Sequence, residues 1–131
     1  MSDLTALRNA QVLVNRTVAP PPCHRWPLLC ERTGADVWVK HENHTVVGAF
    51  KLRGGLVYME RLRERLPDVA GVLAATRGNH GQSVAYAAAK VGLPATVVVP
   101  HGNSAEKNAA MRALGATLIE EGHDFQAALE F

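Results

Sequence analysis

The sequence predicts an α/β fold whose regular part is a βαβαβ unit built on a parallel sheet. Three observations predict it. From residue 71 onward, the short apolar runs Val72–Ala75, Ala95–Val99 and Thr117–Glu120 alternate with two segments of helical periodicity. Gly92 and Gly115 stand where glycines end helices, and Asn103 or Ser104 can cap the second helix. Strands joined by helical crossovers pair in parallel, with right-handed connections.

The elements follow in order. Ser2 or Asp3 can cap an opening helix in which Leu4, Leu7, Ala10 and Val14 share a face, and Pro20-Pro21-Pro22 ends any such helix as a stiff connector. Val37–Lys40 reads as a short strand, and polar Glu42–Thr45 leads to Gly48. From about Phe50 to Leu66 the positions Leu52, Leu56, Met59, Leu62 and Leu66 keep a helical period that Pro67 closes. Strand Val72–Ala75, helix 82–91, strand Ala95–Val99, helix 105–114 and strand Thr117–Glu120 complete the repeating unit, with the strands Val72–Ala75 and Ala95–Val99 expected to be covered on both faces. Asp124 reads as the N-cap of a last helix, Phe125–Phe131, whose two turns suggest a chain cut within a domain.

Bulk properties exclude several function classes. A length of 131 residues with 47% hydrophobic content supports a packed core. The net charge of +2 comes from 14 basic and 12 acidic residues scattered along the chain, which gives no field for holding a polyanion, so no nucleic-acid partner is expected. No apolar run reaches the ~18–20 residues of a membrane span, and no apolar leader follows Met1. Cys23 and Cys30 lack a second pair at metal-ligand spacing; a cytoplasmic protein with reduced thiols and no metal is expected.

Two segments carry chemistry. Gly48-Ala49-Phe50-Lys51-Leu52-Arg53-Gly54-Gly55 places a lysine where a helix begins. Unpaired N–H groups and the positive end of the helix dipole favour the neutral amine there, and partial burial against Phe50 and the cation of Arg53 push the same way. A neutral lysine amine can form a Schiff base with an aldehyde; the bland alternative is a solvated surface lysine. Thr76-Arg77-Gly78-Asn79-His80-Gly81-Gln82 fills the turn after the first strand of the unit, at the carboxyl end where ligands collect. Its glycines allow close backbone approach, helix N–H groups can hold an anion, and Asn79 and His80 add polar handles. The alternative is a glycine-bearing turn with a capping asparagine. The segment matches neither the dinucleotide nor the phosphate-loop pattern.

Taken in order, Lys40-His41-Glu42-Asn43, Gly48–Gly55 and Thr76–Gln82 resemble the threonine/serine dehydratase family of fold-type II pyridoxal phosphate enzymes, N-terminal part only. The similarity continues through Val84–Ala88, Gly92–Thr96, Lys107 and Arg112–Ala116. It implies that Lys51 is the catalytic, cofactor-bonding lysine, that Phe50 and Asn79 flank and hydrogen-bond the cofactor, and that Thr76, Gly78 and His80 surround the carboxylate of an amino acid substrate. It implies deamination of a β-hydroxy amino acid (threonine, serine or a hydroxyaspartate-like compound) to a 2-oxo acid and ammonia. It further implies that residues 1–66 belong to a large cofactor domain and 67–131 to a smaller α/β domain incomplete at its C-terminus.

Departures from the family pattern sharpen the expectation. Ala49 stands where serine is common. Arg77 stands where many members carry a serine, which in serine racemases is the second acid/base; an arginine cannot be deprotonated for that role, so elimination is favoured over racemisation. Arg77 can instead pair with a second substrate carboxylate or turn to solvent. The family's glycine-rich phosphate loop lies beyond these residues, so an inactive fragment is expected. The alternatives are a β-replacement enzyme of the cysteine synthase type, against which His80 argues, and a non-catalytic α/β module. Assembly into a homo-oligomer is expected, since uncovered strand edges and apolar area favour association.

Overall fold

In the computed structural model, residues 3–131 are described, and the capping role open to Ser2 lies outside them. Asp3 caps helix α1 (Leu4–Asn15) by accepting from the Ala6 N–H at 2.7 Å. Strand β1 (Cys23–Arg25), helix α2 (Pro27–Thr33) and strand β2 (Trp38–Lys40) follow, with β1 and β2 antiparallel and Arg25 opposite Trp38. A short 3₁₀ turn, Glu42–His44, leads to helix α3 (Lys51–Arg65). Strands β3 (Val72–Ala75), β4 (Ala95–Val99) and β5 (Thr117–Glu120) alternate with helices α4 (Asn79–Lys90) and α5 (Ala105–Ala113), and α6 (Phe125–Glu130) closes the chain.

The expected βαβαβ unit is present as a parallel sheet in the order β3-β4-β5, with Val72 opposite Ala95 and Val97 opposite Leu118. Gly92 and Gly115 take positive φ, 70° and 92°, as helix-ending glycines do. Ser104 is the cap of α5, and Asn103 instead donates from Nδ2 to Asn108 Oδ1 at 2.6 Å. Only the central strand β4 is enclosed throughout. Leu73 of β3 is 71% exposed, so the expected cover on both faces holds for β4 and fails for β3, which lies at the edge of the sheet.

Helix α3 shows why the sequence folds as it does. Leu52, Leu56, Met59 and Leu62 are all buried, each contributing about 1.5–3 kcal/mol. That exceeds the roughly 1 kcal/mol each that Gly54 and Gly55 cost in a helix interior. The same face packs with Val14, Val18 and Val47 on one side and Val84, Ala87 and Ala88 of α4 on the other, forming a core that runs across residue 66. A second core of Ala85, Val97, Val99, Met111 and Ala116 lies on the opposite side of α4. Helix α4 is therefore sandwiched, and its small residues permit this. A Cβ on Gly81 would collide with Met111 Sδ and lie 2.6 Å from Thr76 Cγ2.

Helices α3 and α4 also approach closely, and a Cβ on Gly55 would sit 2.5 Å from Ser83 Oγ and 3.4 Å from Ala87 Cβ. Ser83 Oγ donates to the Lys51 carbonyl at 2.8 Å. No helix among the described residues is long and apolar enough to cross a membrane.

Two predictions follow from this packing. Gly55→Ala should lower stability by about 1–2 kcal/mol in urea denaturation, because overpacking and a displaced serine outweigh alanine's helix propensity. In Gly55→Ala/Ser83→Ala the cost should be less than the sum of the single changes; strict additivity would show that the two residues do not meet. At α6, Asp124 accepts from the Ala127 N–H at 2.9 Å, and that bond holds its carboxyl below the usual range. A depressed carboxyl stabilises the fold above its unfolded-state value, and the contribution disappears as pH falls through the folded-state value. Asp124→Ala should lower the unfolding midpoint at neutral pH, and the loss should shrink at pH values where the carboxyl is protonated in both states.

Candidate active site

The chain enters α3 through a turn that only glycine accommodates easily. Gly48 has φ 62° and donates its N–H to the Thr45 carbonyl at 2.8 Å. Thr45 Oγ1 accepts from the Ala49 N–H at 3.0 Å and lies 3.0 Å from the Glu42 carbonyl, tying the 3₁₀ turn to the helix start. Phe50 occupies the N-cap position with no side-chain cap, and Lys51 is the first helical residue. The amine thus projects from the positive end of α3, as the sequence indicates.

One expectation needs correction. Lys51 and Phe50 are both exposed, Phe50 by 65%, so partial burial does not act on the amine. The cause is geometric: α3 turns Leu52 and Leu56 toward the core, which leaves the two preceding residues on the open side. The cation of Arg53 is also partly neutralised, because its Nε–H is shared between both Glu42 carboxylate oxygens at 2.9 and 3.0 Å. Lys40 Nζ approaches the same carboxylate at 3.4 Å.

Phe50, Lys51, Gly54, His80 and Ser83 line one open cleft of about 870 Å³ between α3, α4 and β3. The cleft joins the two motifs that lie far apart in sequence. Gly54 opens onto it, with nothing within 4 Å of where its Cβ would stand. Volume and lining suit a small organic ligand that a lysine amine can anchor.

The loop before α4 is arranged differently from the sequence reading. Asn79, His80, Gly81 and Gln82 are already helical, so the turn proper is Thr76–Gly78. Thr76 is buried, and its Oγ1 accepts from the Gly78 N–H at 3.2 Å, so the hydroxyl shapes the loop from within. Gly78 is buried beneath Lys107, whose Nζ would lie 3.2 Å from a Cβ there. Asn79 is exposed at the first position of α4, and it does not line the cleft with Lys51, Phe50 and His80. The N–H groups of Asn79 and His80 have no partner among the described residues, leaving the helix start free for an anion. Arg77 is exposed, and its charge contributes, as the smallest of several influences, to holding the Asp124 carboxyl low.

Four residues make contacts at the site that no local pattern in the sequence indicates. Ser83 reaches Lys51 only because α4 folds back on α3, and the Glu42–Arg53 pair spans 11 positions across a turn. Lys107 reaches Gly78 from the next helix.

Residues 14–131 match the model of the family described as pyridoxal-phosphate dependent enzyme. The chain is 37% identical over 130 residues to an L-threonine ammonia-lyase of Thermotoga maritima, covering 99% of this chain and 32% of that one. It is 38% identical over 116 residues to an L-threo-3-hydroxyaspartate ammonia-lyase of a Pseudomonas species, covering 88% of this chain and 35% of the other. In three dimensions it is similar to maize serine racemase, with a TM-score of 0.86, 27% identity, and coverage of 97% of this chain and 38% of that chain. The chain spans about a third of the length of these curated relatives. A lysine at the start of α3, sharing one cleft with His80 and Ser83 of α4, accords with a family match over residues 14–131, and the chain belongs to the family of pyridoxal-phosphate dependent enzymes.

Proposed function

We propose that this chain is the lysine-bearing part of a pyridoxal phosphate-dependent ammonia-lyase that converts a β-hydroxy amino acid to a 2-oxo acid and ammonia. One juxtaposition carries the reading: Lys51 at the start of α3 and His80 in the first turn of α4 line the same cleft. The names of the similar threonine and hydroxyaspartate ammonia-lyases support the substrate class. The proposed division at residue 66 makes the α3–α4 contact the seam between a larger cofactor domain and a smaller one. A cytoplasmic, homo-oligomeric protein belongs to the same proposal.

The residues present fit the cofactor. Lys51 would hold it and the exposed ring of Phe50 would offer an aromatic face beside the amine; the Asn79 amide, which stands outside that cleft at the start of α4, would have to reach the group from there. Bound there, pyridoxal phosphate supplies an electron sink for negative charge at the substrate α-carbon. The chain's own residues supply the rest. As a free amine, Lys51 would take the proton from the substrate α-carbon. The free N–H groups of Asn79 and His80, with the dipole of α4, suit the substrate carboxylate, and the His80 imidazole stands on the cleft side of that turn. Arg77 cannot serve as a second proton-transfer group, which supports elimination over racemisation.

The assignment of Lys51 is tested by treating the chain with substoichiometric pyridoxal phosphate, reducing with borohydride and mapping the label by mass spectrometry. Lys51 should be labelled ahead of Lys40, Lys90 and Lys107, and Lys51→Ala should abolish the preferred site; equal labelling of the four lysines would overturn it. The substrate class is tested separately, in a full-length enzyme carrying this segment. Arg77→Ser should reduce kcat/KM for hydroxyaspartate about tenfold or more relative to threonine, the scale of one lost charged hydrogen bond. Equal losses on both substrates would remove Arg77 from substrate selection.

A further inference from the structure

The ion pair beside the lysine is built differently from a surface pair. Arg53 and Glu42 are about four-fifths buried, with side-chain exposures of 22% and 18%. One guanidinium N–H is shared between both carboxylate oxygens, at 2.9 and 3.0 Å, while Nη2 is buried with no acceptor among the described residues. Burying a donor without an acceptor is unfavourable, so stability alone gives a poor account of this arginine. Its placement supplies a better one. Glu42 begins the 3₁₀ turn, Arg53 lies two residues beyond Lys51, and the pair closes a loop that contains Thr45, Gly48 and the start of α3. No side chain caps α3; the pair and Thr45 Oγ1, which accepts from the Ala49 N–H, tie the chain before the lysine, and the Ser83–Lys51 bond ties it from α4.

We propose that Arg53 is a positioning residue for Lys51: by clamping Glu42 across the entrance to α3, it fixes the direction in which the lysine leaves the helix. This rests on Lys51 being the cofactor-bonding lysine. Arg53 lines the same cleft as Lys51, and in this role it acts through the lysine. A lysine at position 53 would keep the charge but would lose the fixed Nε–H that the two carboxylate oxygens share.

The test compares Arg53→Lys and Glu42→Gln with the unaltered chain in the pyridoxal phosphate and borohydride labelling experiment, at matched folded fraction by circular dichroism. Labelling at Lys51 relative to Lys90 should fall on the order of tenfold in both variants, as expected of a displaced reactive group, while labelling of Lys90 itself stays constant. A purely structural role would move the unfolding midpoint and leave the ratio intact. The proposal is overturned if either folded variant keeps the unaltered chain's ratio; should Arg53→Lys not fold, Glu42→Gln reads the same clamp. A chain that shows no preference for Lys51 before any substitution would instead refute the assignment of the lysine.

Discussion

The contact between α3 and α4 is the constraint on which the site depends. Gly55 lets the helices approach until Ser83 reaches the Lys51 carbonyl, and the bond forms at 2.8 Å. That carbonyl belongs to the first turn of α3, so α4 holds the lysine-bearing turn directly. The same approach buries Leu52, Leu56 and Met59 against Val84, Ala87 and Ala88. Hydrophobic burial supplies the energy, and the missing Cβ sets the distance over which it acts. His80 reaches the cleft of Lys51 only because this contact fixes the spacing.

Electrostatics around the lysine are local and nearly balanced. Glu42 faces Arg53 and Lys40, and the partly buried partner is held more firmly than the exposed one. A pair at this depth costs desolvation that its attraction offsets only with good geometry. Here the carboxylate is well served and the guanidinium less so, since Nη2 lacks an acceptor. On the α4 side the opposite arrangement holds: free backbone N–H groups and a nearby lysine, Lys107, leave a positive loop without a matching carboxylate among its hydrogen bonds.

Much of the fold is legible in the sequence because its signals are local. The period of Leu52, Leu56, Met59 and Leu62, the apolar run of β4 and the glycines at 92 and 115 each act within a few residues. Strand β1 and helix α2 are less legible. Three residues, Cys23–Arg25, cannot establish an alternation, although Pro27 and Gly34 do mark the two ends of α2. The position of Lys51 at a helix start is readable for the same local reason. Its exposure is not, because that depends on which face α3 presents to residues from Val14 to Ala95. The early start of α4 also escapes sequence patterning, since Gly78 and Gly81 suggest a turn where tertiary packing extends the helix.

The two ties beside the lysine differ in how far along the chain they reach. Glu42 and Arg53 are 11 positions apart, whereas Lys51 and Ser83 are 32 apart. Loop closure grows only logarithmically with length, so the longer tie costs roughly 1 kcal/mol more chain entropy. It also requires the intervening strand β3 to be in place, and contacts of greater sequence separation form more slowly. The turn carrying Lys51 is therefore held by one tie that is cheap to close and one that draws on the whole α3–α4 packing, so a change far away in sequence at α4 acts on the lysine as directly as one beside it.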